Sequence, residues 1–178
     1  MGEDKLDYVG YWTEIKLQIL RDYAKAYVKI MNKQSHINHY AFIDGFAGAG
    51  THVSKATGEE INGSPVIALE VEPAFSHYHF IDLEKKRVER LRQIAETRSD
   101  VSVYEGDCNN VLLKEVFPRC KYEDFRRALC LLDPYNLNPN WEVVQTAAEM
   151  KSIEIFLNFS IMDINRNILS RKSEDVVT

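Results

Sequence analysis

The chain has 178 residues, of which 45% are hydrophobic and 28% charged, enough for one domain with a buried core. Its net charge of −5 lacks the basic footprint of a dedicated nucleic-acid-binding domain, and its three cysteines carry no Cys-x-x-Cys spacing for metal. Isolated thiols, an acidic polar start (Met1-Gly2-Glu3-Asp4) and no apolar run near the ~20 residues of a membrane span predict a cytoplasmic protein outside any membrane.

In chain order, Thr13 is placed to cap a first helix over 13–33, with Trp12 and Leu17 in staple positions. Ile15, Ile19, Leu20, Tyr23, Tyr27, Ile30 and Met31 recur at helical spacing, which makes it a packing helix. The apolar run Tyr40-Ala41-Phe42-Ile43 predicts a first strand over 40–44 that stops at Asp44. A glycine turn follows, Gly45-Phe46-Ala47-Gly48-Ala49-Gly50, whose spacing lets backbone pass close to a nucleotide-like ligand. The polar stretch 51–62 reads as a mobile loop, and Ser64-Pro65 as a helix start with Ser64 as the cap.

A second strand is expected over 77–81, ending at Asp82, then an amphipathic helix over 84–98 with Val88, Leu91, Ile94 and Ala95 inward. A third strand over 101–104 ends at Gly106-Asp107, and Asn109 or Asn110 caps a helix to about Phe117. The basic residues Arg119, Lys121, Arg126 and Arg127 read as a solvated face before a fourth strand over 129–132, which ends at Asp133-Pro134-Tyr135. Asn140-Trp141 opens a helix to about Met150, and Ile153 to Phe159 forms a fifth strand. Strands alternating with helices predict parallel βαβ units, hence an α/β fold with a Rossmann-like doubly wound, mostly parallel sheet.

In such a sheet ligands lie outside the carboxyl ends of the strands. Four successive strands end there in an acid: Asp44, Asp82, Asp107 and Asp133. One acid at a strand end is commonly a turn or a cap, but four with a glycine turn at the first make a binding constellation. The third glycine of the dinucleotide fingerprint G-x-G-x-x-G is missing, which argues against a pyrophosphate, and an acid at the first strand favours a ligand with a positive group. His36-x-x-His39 and His77-x-His79 lack a third ligand placed by spacing, so no metal is expected.

The form D-x-F-x-G-x-G at 44–50 resembles the first motif of class I methyltransferases, which bind S-adenosylmethionine. That resemblance puts Asp44, Phe46, Gly48 and Gly50 at the methionine end of the cofactor. Asp82 would then accept the ribose hydroxyls, with Glu84 as its competitor, and Asp107 and the Cys108 N–H would hold adenine. Gly50 and Asp82 stand farther apart than the usual ~20 residues, which assigns 51–62 to an insertion. Asp133-Pro134-Tyr135 resembles the D/N-P-P-Y motif of amino-methyltransferases acting on bases, without its second proline. It implies Asp133 and the Pro134 region holding an –NH₂ group, and Tyr135 stacking on a planar substrate.

W-T-E-x-K-L at 12–17, F-I-D-G-F-A-G-A-G at 42–50, G-S-P at 63–65, G-D-C-N at 106–109, L-D-P-Y at 132–135 and N-F-S-I-M-D-I-N-R at 158–166 together resemble the three-Cys-motif partner protein family over nearly the whole chain. The resemblance implies a class I methyltransferase fold and a partner protein bearing the three-cysteine motif. Few residues follow Phe159, so the chain is expected to be a truncated domain that lacks the C-terminal edge strands of that fold. The function expected is S-adenosylmethionine-dependent methylation of an amino group of a nucleic-acid base. The alternative is a non-catalytic cofactor-binding module of a three-Cys-motif protein.

Overall fold

A computed structural model describes residues 8–134 and 139–158. The elements, in order, are β1 (Tyr8–Val9), α1 (Tyr11–Met31), β2 (His39–Asp44), β3 (Thr51–Ser54), β4 (Glu60–Asn62), α2 (Ser64–Leu69) and β5 (His77–Asp82). They continue with α3 (Lys85–Ile94), β6 (Val101–Glu105), α4 (Cys108–Val111), β7 (Arg126–Leu132), α5 (Trp141–Met150) and β8 (Ile153–Leu157). Five strands form one parallel sheet in the order β6-β5-β2-β7-β8. This is the doubly wound order: the chain builds outward from β2 to one side, then returns to lay β7 and β8 on the other. The expected Rossmann-like, doubly wound parallel sheet is therefore present in the described residues.

Both faces of the sheet are covered, so its strands are apolar on both sides. Phe42, Tyr78, Phe80, Leu129 and Leu131 point to the layer of α1, α2 and α3, where they meet Leu20, Ala24, Val28, Ala68 and Leu91. Their neighbours Ala41, Ile43, Ile81, Ala128, Cys130 and Leu132 point the other way, onto Val111, Leu112, Val143 and Ala147. The strict alternation of the two sets is the period of an extended chain.

Several boundaries differ from the sequence reading. Helix α1 starts at Tyr11, with Gly10 as its cap and Thr13 already inside the first turn, where its N–H reaches the Gly10 carbonyl at 2.9 Å. Gly63 rather than Ser64 caps α2. A Cβ on Gly63 would stand 2.8 Å from the Gly50 carbonyl oxygen, so only glycine admits that approach. Helix α3 stops at Ile94, and Ala95 is its C-cap. Asp107, not Asn109 or Asn110, caps α4, its carboxylate accepting the Asn110 N–H at 3.0 Å. Beyond Val111 the helix widens into a π turn (Leu112–Val116) and tightens into a 3-10 turn (Phe117–Arg119). Pro118 explains the change: it has no N–H to donate back along the helix, and its ring crowds the preceding turn.

The largest departure is 51–62. It is not a loop but a hairpin, β3 antiparallel to β4, with β1 added parallel to β3 as a second, three-stranded sheet. Ser54, nearly fully buried, ties it to α1 through a 2.7 Å hydrogen bond to Glu14, and its N–H closes the turn on the Glu59 carbonyl. Its backbone groups are paired, which is the order of a hairpin rather than of a free loop.

Candidate cofactor and acceptor site

The order of the main sheet reverses between β2 and β7, and the carboxyl ends of these strands hold Asp44 and Asp133. A crevice at such a reversal is where doubly wound sheets bind ligands. Two clefts open there. One, of about 450 Å³, is lined by Thr13, Lys16, Phe46, Gly48, Ser64, Asp133, Pro134, Phe156 and Asn158 among others. The other, of about 640 Å³, is lined by Gly45, Phe46, Asp82, Leu83, Glu84, Arg87, Gly106, Asp107, Cys108 and Asn109. Phe46 belongs to both.

The glycine turn shapes the boundary. Gly48 has φ +64°, which L side chains rarely adopt, and a Cβ there would meet no protein atom within 4 Å. Its N–H donates to Asp82 Oδ2 at 2.9 Å, while the Glu84 N–H donates to Asp82 Oδ1 at 2.8 Å. Arg87 adds a cation 4.0 Å from Oδ2. Asp82 thus clasps the turn after β2 to the end of β5. Among the described residues each of its oxygens accepts one backbone N–H, and a carboxylate oxygen can accept two donors.

Asp44 is fully buried and lines neither cleft. Its Oδ1 accepts the Phe46 N–H at 3.1 Å. The Ser64 hydroxyl stands beside the carboxylate and favours its charge, but among the described residues Oδ2 has no donor in full hydrogen-bond geometry. Burial pushes its pKa up to about 7, against the pull of Ser64 and Phe46 and with added repulsion from Asp133 and Asp82.

Asp133 sits just past β7. Lys16 Nζ, from the second turn of α1, donates to Oδ2 at 2.9 Å and to Oδ1 at 3.2 Å. Asn158 Nδ2 also donates to Oδ1, and Asn158 is itself fixed by its N–H on the Leu132 carbonyl at 2.9 Å. Lys16 was not singled out as a site residue in the sequence. No local pattern singles it out, because it meets Asp133 across 117 residues.

In the second cleft, Asp82, Asp107 and Cys108 come together, but Asp107 is already the α4 cap and also accepts from Asn110 Nδ2 at 3.1 Å. The buried Cys108 thiol has its pKa pushed up to about 12, so it stays protonated. Gly50 lines neither cleft: its φ is +84°, and a Cβ on it would stand 2.6 Å from Ile94 Cδ1, so it serves the close approach of α3. Glu84 turns to Arg87 at 3.2 Å. Tyr135, the expected stacking residue, lies outside the described residues.

The His77 and His79 rings lie 4.6 Å apart, tilted by 51°, on one face of β5, bonded to Ser102 and Tyr104 respectively. Burial drives the pKa of His79 down to about 3, so its ring is neutral. Among the described residues no three His, Cys, Asp or Glu side chains converge as metal ligands, and no helix is long and apolar enough to cross a membrane.

No family model matches the sequence, and no curated protein matches it. Among solved structures the chain is similar to protein LPL1258 of Legionella pneumophila, from family DUF519, with a TM-score of 0.59 and 10% identity over 90% of this chain and 74% of that one. It is also similar to the Escherichia coli protein YhhF, assigned as a methyltransferase, with a TM-score of 0.46 and 12% identity over 76% of this chain and 66% of that one. The first likeness extends to nearly all of the chain and bears on its fold alone, a doubly wound α/β sheet.

Proposed function

We propose that this chain binds S-adenosylmethionine across the two clefts and methylates an amino group of a nucleic-acid base. The observation that carries the reading is the pair of clefts meeting at Phe46, one with the Asp82 and Asp107 carboxylates, the other with Asp133. The residues fit the cofactor. Asp82 accepts one backbone N–H on each oxygen among the described residues and can take the ribose hydroxyls as further donors, and the open face of Gly48 leaves room for the chain that joins ribose to the methionine end. The unmatched Oδ2 of Asp44, behind Ser64, favours a ligand with an ammonium group.

When bound, this cofactor supplies a methyl group on a positively charged sulfur, which departs as a neutral sulfide. The protein's part is then alignment and charge placement. Asp133 accepts an N–H of the acceptor amine and turns the nitrogen lone pair toward the methyl carbon. The nitrogen sheds one proton as the N–C bond forms. Pro134 and Phe156 give the cleft apolar walls against which a planar base can lie. A base inside a duplex would have to be flipped out to reach them.

Calorimetry with S-adenosylmethionine and S-adenosylhomocysteine, followed by transfer of labelled methyl to tRNA, DNA and protein pools, tests the proposal. Binding and label in a nucleic-acid pool are expected. A folded protein that binds neither compound refutes it.

A second reading, a cofactor-binding module that serves a three-Cys-motif protein, draws on one observation. Trp12, Ile19, Tyr23 and Ile30 are exposed along a single line of α1, an apolar stripe suited to a protein partner. Cofactor binding without methyl transfer to any pool would favour it.

A further inference from the structure

Asp133 is held by two donors from distant parts of the chain. Lys16 reaches it from α1 at 2.9 and 3.2 Å, and Asn158 from the end of β8. Their effect on the two oxygens is unequal. A carboxylate oxygen has two lone pairs. Oδ1 takes both Lys16 and Asn158, so its capacity is filled. Among the described residues Oδ2 takes Lys16 alone, which leaves one lone pair. Asp133 and both donors line the same cleft. The two oxygens of a carboxylate are equivalent, so what these donors fix is its plane: turning the Asp133 carboxylate out of that plane breaks the Asn158 bond and strains the Lys16 bonds.

We infer that Lys16 and Asn158 are positioning residues for amine methylation: they hold the plane of the Asp133 carboxylate, so that the oxygen away from Asn158 is presented to the substrate N–H at a fixed place. The inference rests on the methyl-transfer reading above for its consequence, but the locking itself is a property of this chain alone. Neither residue touches the acceptor in this role. Each acts through Asp133. Lys16 further sets the direction of approach, because its ammonium covers one side of Oδ2 and leaves the other to the incoming amine.

The test uses Lys16→Met, Lys16→Arg and Asn158→Ala in the full chain, with crystal structures of each and methyl transfer from labelled S-adenosylmethionine. In Lys16→Met and Asn158→Ala the Asp133 carboxylate is expected to rotate or to take two orientations. S-adenosylmethionine affinity should stay within about twofold of wild type, while kcat falls by about tenfold or more at unchanged KM, the signature of misplaced alignment. Lys16→Arg, which keeps a donor at that place, should restore most of kcat. An unmoved carboxylate in both deletion variants overturns the inference, and so does an unchanged kcat. If wild type transfers no methyl, the methyl-transfer reading falls by itself. The structures of the variants then still decide whether the two donors lock Asp133.

Discussion

At the scale of single residues, Asp44 couples stability to pH in an unusual direction. Its pKa is raised from an ordinary 3.8 to about 7, chiefly by burial. The folded protein therefore keeps this proton longer than the unfolded chain does. The contribution is greatest below about pH 4, is lost as pH rises toward about 7, and is flat beyond. Asp44→Asn removes the buried charge and should stabilise the ligand-free protein at pH 8, by an amount on the order of a few kcal/mol. Denaturant titrations of both proteins between pH 5 and pH 8 read the difference, which should shrink toward acid pH. The same variant should weaken S-adenosylmethionine, and wild type should release a proton on binding it near neutral pH, measured by calorimetry in two buffers of different ionisation heat. Asp82→Ala is expected to cost about 1–3 kcal/mol in stability, because the Gly48 and Glu84 N–H groups lose their acceptor. Much of this was legible in the sequence, since the acids stand at strand ends where alternation and the glycine turn reveal them. Lys16 was not, because it meets Asp133 across 117 residues, and no local pattern records such a contact.

At the scale of elements, the strands of the main sheet were readable because burial on both faces leaves continuous apolar runs, such as Leu129-Cys130-Leu131-Leu132. The hairpin was not, because β3 and β4 are short and polar and exist by pairing with each other and with β1, a partner some forty positions away (Tyr8 opposite Val53). Its amides at Ser54 and Lys55, held on the Glu59 and Val9 carbonyls, should show hydrogen-exchange protection well above that of Thr57 at the turn, whose N–H stands 3.4 Å from the Ser54 hydroxyl, against the rapid exchange a mobile loop would give. Caps were misassigned by one to three positions because Thr, Ser and Asn are favoured caps only on average, whereas Gly10 and Gly63 take those places by backbone geometry. At the other end of α5, Lys151 adopts a left-handed conformation with φ 56°. Lys151→Gly should therefore raise stability by about 0.5–1 kcal/mol in thermal or denaturant unfolding.

At the scale of the whole molecule, the order β6-β5-β2-β7-β8 sets the crevice, and the crevice gathers residues from α1, the glycine turn, β5, α4, β7 and β8 into two adjoining clefts. One aromatic ring, Phe46, walls both. A shared wall makes the occupants of the two chambers partners in one equilibrium. Whatever fills the Asp82 cleft selects the rotamers of Phe46 that it tolerates, and these are the rotamers the occupant of the Asp133 cleft meets. Reciprocity follows: if the cofactor sharpens affinity for the acceptor by some factor, the acceptor sharpens affinity for the cofactor by the same factor. Replacing the ring by a methyl group in Phe46→Ala would merge the chambers and erase that factor, so that each compound binds with one affinity whether or not the other is present.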